Sequence, residues 1–322
     1  MTEVLWVLTL LNLPGIGRRT VAAMLDMLPS ASSVTRLLEM LVRAYPAAPH
    51  AAPPTQEALD AALHRAESAM NSAADLGIVI LGPTDPRFPL RLRRIPDAPV
   101  LLYAIGDLSA LTAQRSVAVV GTREPTPFGL RTATTFGRVF AEAGFVVVSG
   151  LALGCDTAAH MGCLEARGST TAVVAHGLDR VYPRENTELA ERIVANRGCV
   201  VSEYPPGQRP RAGYFVERDR LQSGLAAAVV VVETGIRGGT MHTVRHALDQ
   251  KRLLGCVAPP EGTGDRSSAA GNAQLLRESN VLPIATRRDL DDFIAKVEHL
   301  LDSPTGPEPP TPLRGGQLPL LG

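Results

Sequence analysis

The sequence predicts an α/β protein: a Rossmann-like, doubly wound, mostly parallel sheet with a small N-terminal all-helical domain. Three observations carry this. From Ser116 onward, short β-branched runs alternate with amphipathic helical segments. Those runs are apolar on both faces, as strands covered by helices on either side must be. Residues 1–70, by contrast, show helical apolar spacing and no strand-like run.

At 322 residues the chain is long enough for one large domain and a small one. The opening VLWVLTLLNL reads as a core helix of a soluble protein, because it lacks a basic leader and a small-residue cleavage site and is shorter than a membrane span. Next comes LNLPGIGRRTVAAML, the pattern of a helix-hairpin-helix turn, followed by helical spacing in SSVTRLLEMLVRAY with Ser32 or Ser33 as cap. A linker, AAPHAAPPTQ, precedes the helical EALDAALHRAESAMNSAADLG, and GIVILG is a short strand. PTDPRFPLRLRRIPDAPVLLYAIGD is punctuated by proline and carries no assigned element.

The alternation then runs strand SVAVVG, helix FGLRTATTFGRVFAEAG, strand FVVVSG, helix CDTAAHMGCLEARG, strand TTAVVAHG, helix ENTELAERIVANRG and strand CVVSE. An arginine-rich segment, YFVERDRLQSGLA, leads to strand AAVVVVE, helix GTMHTVRHALDQ and strand LLGCVA. Residues 71–285 are therefore read as the sheet domain, 286–302 as a C-terminal helix and 303–322 as a Pro/Gly-rich tail that does not fold alone.

The formal net charge is zero, which argues against a strongly basic nucleic-acid binder. Its distribution says more: the central part carries an excess of cations, nearly all arginine, while both flanks are acidic. Arginine forks onto phosphate. The four cysteines have no C-x-x-C and no histidine at zinc spacing, so they read as small buried apolar residues, with no metal or cofactor implied.

In such a sheet, ligands bind beyond the carboxyl ends of the strands. The first loop there, GTREPTPFG, puts Gly121 at the turn and Arg123 over the crevice. A dinucleotide loop needs G-x-G-x-x-G so that backbone can touch pyrophosphate; Arg123 blocks that approach, and Pro125 and Pro127 remove two donors. Arg123 either holds a phosphate or pairs with Glu124 or another surface carboxylate. The second loop, SGLALGCDTAAH, offers Ser149 and Gly150, with Asp156 or Thr157 as a helix cap; Asp156 and His160 are either an acid/base pair or a cap and a packed residue. The third, HGLDRVYPREN, supplies Arg180, Arg184 and the capping Asn186 or Thr187, and Tyr182 provides either a face for a base or a buried ring. The fourth, ETGIRGGTMHTV, opens a helix with Gly238, Gly239 and Thr240, presenting free amides to an anion. Arg218 and Arg220, with Tyr214 and Phe215 interleaved, suit a flexible single strand of nucleic acid.

In order, SVAVVGTREPTPFG, VVSGLALGCDTAAH, GLDRVYPREN, VVSEYPPG, FVERDRLQSGLA and GGTMHTVRHALDQ resemble the motifs of the DNA-processing protein A family (DprA, also called Smf), over residues 76–284. The resemblance implies a cytoplasmic bacterial protein that binds and protects single-stranded DNA during natural transformation and helps load RecA recombinase onto it. It implies a homodimer, no membrane association and no catalysis. It places the DNA-contacting arginine on Arg123 and the basic position after the Tyr-Pro pair on Arg184. The N-terminal hairpin is a candidate for weak duplex contact.

Some positions depart from the family pattern. The usual R-N-R is Arg218-Asp219-Arg220 here, S-G-S-L-[IV]-T-A becomes Gly238-Gly239-Thr240-Met241-His242-Thr243-Val244, and Pro-Gly becomes Pro259-Pro260. Many members carry a C-terminal winged-helix-like domain, for which the residues after Asp302 are too few. An alternative on the same fold is a phosphoribohydrolase-like nucleotide enzyme, whose P-G-G-x-G-T-x-x-E loop the GGT is similar to. That chemistry needs a carboxylate just inside the helix, and residues 241–246 contain none.

Overall fold

The computed structural model describes residues 2–30, 35–37, 39, 54–259 and 269–302. The Ser32 or Ser33 cap, most of the 47–56 linker, Pro260 and the 303–322 tail lie outside the described residues.

Nine strands form one sheet: β1 (Val79–Leu81), β2 (Leu102–Gly106), β3 (Ser116–Val120), β4 (Val146–Ser149), β5 (Thr170–Val174), β6 (Cys199–Ser202), β7 (Ala228–Val231), β8 (Leu253–Val257) and β9 (Val281–Ile284). Their spatial order is β1-β2-β6-β5-β4-β3-β7-β8-β9. Pairing is parallel from β6 through to β9, whereas β1–β2 and β2–β6 are antiparallel. The predicted strands all form; β2 and β9 are additions. Every residue of β3, β5, β6 and β7 is buried, which accounts for their unbroken Val/Ala/Thr character.

Helices cover both faces. The helix Pro127–Glu142 starts where the sequence directs: Thr126 Oγ1 accepts from Gly129 N at 3.1 Å, and Pro127 occupies the first turn, where a missing N–H costs nothing. It buries Phe136, Val139 and Phe140 against Val117, Val119 and Val147, with Phe293 of the C-terminal helix Arg287–Asp302 closing the same cluster. On the opposite face, Leu221 and Leu225 pack over Ala118, Val120, Val229 and Val231. These two come from a helix, Ala212–Leu225, that the arginine-rich segment forms.

The N-terminal helices Glu3–Leu11, Arg18–Met24 and Gln56–Asp75 build their own cluster around Trp6, Leu10, Val21, Leu59 and Ala66. It continues onto Val100, Leu101 and Tyr103, so the helical part leans on the β1–β2 edge of the sheet. Trp6 is 1 % exposed; burying side chains of this kind is worth about 1.5–3 kcal/mol each. No helix among the described residues is long and apolar enough to cross a membrane.

The chain builds outward from β3 to β6 on one side, then returns to place β7, β8 and β9 on the other. The loops after β3 and β7 consequently diverge, and the space between them at the strands' carboxyl ends is a topological switch point.

Candidate nucleic-acid interface

A crevice of about 450 Å³ occupies that switch point. Its walls are residues 120–124 after β3, Ala152 and Asp156 after β4, Thr234 and residues 237–240 after β7, and Phe215, Arg218, Asp219 and Gln222 from the helix Ala212–Leu225.

The loops are tied to one another by backbone and by one carboxylate. Thr122 N donates to Glu233 O at 2.7 Å, and Cys155 N to Thr122 O at 3.1 Å. Glu233 Oε2 accepts from Thr126 N at 3.0 Å and from Thr126 Oγ1 at 2.9 Å. Gly154 makes the closest approach: its φ is +81°, and a Cβ there would lie 2.6 Å from the carbonyl oxygens of Thr122 and Arg123.

Arg123 stands on this braced turn. It is exposed and forms no ion pair with Glu124; its guanidinium lies over the Phe215 ring at 4.9 Å. Phe215 in turn meets Tyr182, 44 % exposed, at a centroid distance of 5.9 Å. Arg123, Phe215 and Tyr182 thus form a row, cation to ring to ring. Arg184 is exposed two residues on from Tyr182, with no acidic partner among the described residues. On the far wall, the helix Thr240–Asp249 starts at Gly239 without a side-chain cap, and the amides of Gly239 and Thr240 donate no hydrogen bond to any described residue. The positive end of that helix faces the crevice.

Several expectations need correction. Ser149 is fully buried and its hydroxyl donates to Val119 O at 2.7 Å, so it braces β4 against β3. Gly150 is buried as well, and its absent side chain makes room for Arg218: a Cβ would collide with Arg218 Nη1. Asn186 does not cap its helix; its amide is 3 % exposed and donates to Leu151 O at 2.8 Å and Thr157 Oγ1 at 2.9 Å. Neither Asp156 nor Thr157 caps the helix Cys155–Glu165, which begins at Gly154. Asp156 accepts from the amides of Gly150 at 3.2 Å and Ala152 at 3.3 Å. Arg180 is outside the crevice, paired with Asp179 at 2.6 Å.

Arg220 points away from Arg218. Its Nε donates to Asp97 at 2.9 Å and its Nη2 to both oxygens of the buried Glu203 at 2.8 Å. Arg18, from the N-terminal hairpin, joins them: Nη1 meets Glu203 and Nη2 meets Glu217, with its guanidinium over Tyr204 at 5.2 Å. Tyr204 stacks on Tyr214 at 4.2 Å. Arg18 of the hairpin thereby docks the helical part onto the sheet part, while Arg19 remains exposed.

His160 is enclosed and bonded through Nδ1 to Thr170 Oγ1 at 2.7 Å; burial pushes its pKa down to about 3, which leaves it a packed neutral residue. The four cysteines are buried and unbridged, and burial raises every thiol. Asp219, the acid in place of the family's usual amide, lines the crevice, and Gln222, Arg237, His242 and Thr243 join it as lining residues that the sequence did not assign to the site. The acids matter to the alternative enzyme reading: residues 241–246 lack a carboxylate, but Glu124, Asp156 and Asp219 reach the crevice from other elements.

Fold and site together define a doubly wound α/β protein whose crevice lies at the switch point and presents arginine side chains and a helix start instead of a glycine cradle. The sequence model of the family DNA recombination-mediator protein A matches residues 79–294, and the chain belongs to that family. A relative from Synechocystis, Protein Smf, is 41% identical over 175 residues, covering 53% of this chain and 44% of its own length. The chain spans about half the length of the curated relatives it matches. The X-ray structure of DNA processing protein A from Streptococcus pneumoniae superposes with a TM-score of 0.72 at 26% identity, covering 91% of this chain and 98% of that one. DNA processing protein A from Helicobacter pylori, described for its single-stranded DNA binding mode, gives 0.60 at 28% identity, covering 69% and 96%.

Proposed function

We propose that this chain binds single-stranded DNA across the switch-point crevice, without sequence preference and without turnover. The observation that carries the reading is the row Arg123, Phe215, Tyr182, set opposite the free amides of Gly239 and Thr240. Arginine and helix amides suit phosphates, and exposed rings suit unpaired bases, whose π-faces are all alike. The binding mode described for the Helicobacter relative supports it. Gly121, Gly238 and Thr240 form walls of the path, Arg218 is its buried cation, and Arg184 extends it beyond Tyr182. In this reading the protein works as a homodimer in the bacterial cytoplasm, protects incoming strands in natural transformation and passes them to RecA.

The test is fluorescence anisotropy of labelled oligothymidine at several salt concentrations, with duplex DNA as competitor. Single-strand-preferring binding is expected, with a log–log salt slope of about −2 for three phosphates neutralised. Arg123→Ala should lose at least about tenfold in affinity while remaining folded. A folded protein that does not bind at low salt sinks the reading, and release of free base from nucleoside monophosphates would favour the enzyme instead. RecA nucleation on the same oligonucleotide, with and without the protein, tests the hand-over.

A further inference from the structure

The crevice is not simply cationic. Arg123, Arg218 and Arg237 line it beside Glu124, Asp156 and Asp219, so its formal charges cancel, and His242 is the remaining ionisable group on its walls. The three acids are not equivalent. Glu124 is exposed to solvent. Asp156 is buried, which raises its carboxyl, but the Arg218 guanidinium and the amides of Gly150 and Ala152 oppose that rise, so unlike Asp219 it has hydrogen-bond donors of its own. Asp219 is 8 % exposed and accepts no hydrogen bond from any described residue; its nearest cation is Arg218, whose Nε lies 3.8 Å away and is itself buried without a partner.

An unbonded carboxylate on the wall of an anion crevice has two states with opposite effects. Ionised, it repels a phosphate oxygen. Protonated, it offers an O–H donor in the same place and frees Arg218 for the ligand. We propose that Asp219 takes up a proton when a DNA phosphate enters the crevice, so that single-strand binding by this chain is coupled to proton uptake and weakens as pH rises.

The proposal rests on the DNA reading of the crevice. Asp219 is faced by Arg218 from its own helix, Arg123 and Glu124 from the loop after β3, Asp156 from the segment after β4, Arg237 from the loop after β7, and His242 from the helix Thr240–Asp249. Burial lifts the Asp219 carboxyl to about 6 from the ordinary 3.8; Arg218 and Arg123 oppose that rise and Asp156 adds to it. A phosphate beside it acts in the same direction as Asp156. Since one pKa unit corresponds to a tenfold change in binding, a modest further rise is readable as affinity.

The experiment is an oligothymidine titration of the full chain at fixed ionic strength from about pH 5.5 to pH 8.5, with Asp219→Asn and His242→Gln alongside. Asparagine keeps the shape and removes the titration of this carboxyl; the His242 variant removes the imidazole on the same wall, so that the two side chains are tested separately. Wild-type affinity is expected to fall on the order of tenfold between about pH 6 and pH 8. D219N should bind at pH 8 about tenfold more tightly than wild type, and its affinity should fall less steeply as pH rises. Should D219N not fold, calorimetry of the wild type in two buffers of different ionisation enthalpy replaces it: uptake approaching one proton near pH 7 supports the proposal, and no uptake overturns it. Binding that keeps the same pH dependence in D219N overturns the proposal and leaves the DNA reading standing. No binding of oligothymidine by any folded variant at any pH overturns both.

Discussion

The helix Ala212–Leu225 carries two buried arginines, 4 % and 6 % exposed, that meet different surroundings. Arg220 spends Nε and Nη2 on Asp97 and Glu203, a carboxylate it shares with Arg18. Arg218, on the crevice side, has a carboxylate only at 3.8 Å and leans on the edge of Gly150 and the Gln222 amide; turning that amide over lets its oxygen accept from Arg218 Nη1 and from Gly150 N at 2.8 Å. A buried arginine matched to acids is committed to structure, while one left partly unmatched is available to a ligand. Counting arginines cannot separate the two; the partners of each must be known.

The contrast can be broken most severely at Arg220. Arg220→Ala leaves Glu203 buried with Arg18 as its remaining cation, and about 3–5 kcal/mol of stability should be lost in chemical denaturation. Protein that remains folded should still bind oligothymidine. Gly150→Ala acts on the other arginine: its Cβ drives Arg218 out of place and meets Asp156 Oδ2 at 2.6 Å. We expect a loss of about 2 kcal/mol, accompanied by weaker oligothymidine binding, which Arg220→Ala does not share. If both variants unfold without affecting affinity, the two arginines are alike and the distinction fails.

Asp219→Asn should have a smaller and opposite effect. Its carboxyl is raised in the folded state, so wild type pays most above about pH 6, and the cost disappears as pH falls toward 3.8, the ordinary value. The variant should be more stable by about 1–2 kcal/mol at pH 8, part of the gain being returned because Arg218 loses its neighbour, with the difference closing near pH 4 in thermal melts. Arg180→Ala should be smallest of all. Its exposed pair with Asp179 is worth at most about 0.5 kcal/mol, and oligothymidine affinity should barely move; a large loss would extend the DNA path beyond the crevice.

The parallel core was legible because its strands are continuous apolar runs separated by amphipathic helices, and the switch point follows from that alternation. β2 was hidden in the proline-punctuated stretch, since an antiparallel strand recruited by β6 leaves no βαβ signature. β9 contains Pro283, which an interior strand would reject but an edge strand tolerates. The helix Ala212–Leu225 escaped for a different reason: its buried side includes Arg218, Asp219, Arg220 and Gln222, so burial and apolar spacing part company. Arg123 and the Gly239 helix start could be located from their place after strands. That Ser149 and Asn186 face inward could not, because a polar side chain at a strand end or a helix start looks the same in sequence whether it meets solvent or a carbonyl oxygen.

The docking of Arg18 has an electrostatic consequence at a distance. Glu203 and Glu217 carry two negative charges, and Glu217 shares its helix with Phe215 and Arg218. With Arg18 seated on both, that flank presents a smaller negative potential to an approaching polyanion than the sheet part would show bare. The helical part thereby acts as a counterion built into the chain, fixed in place where a salt ion would have to be recruited from solution and held there at an entropic cost.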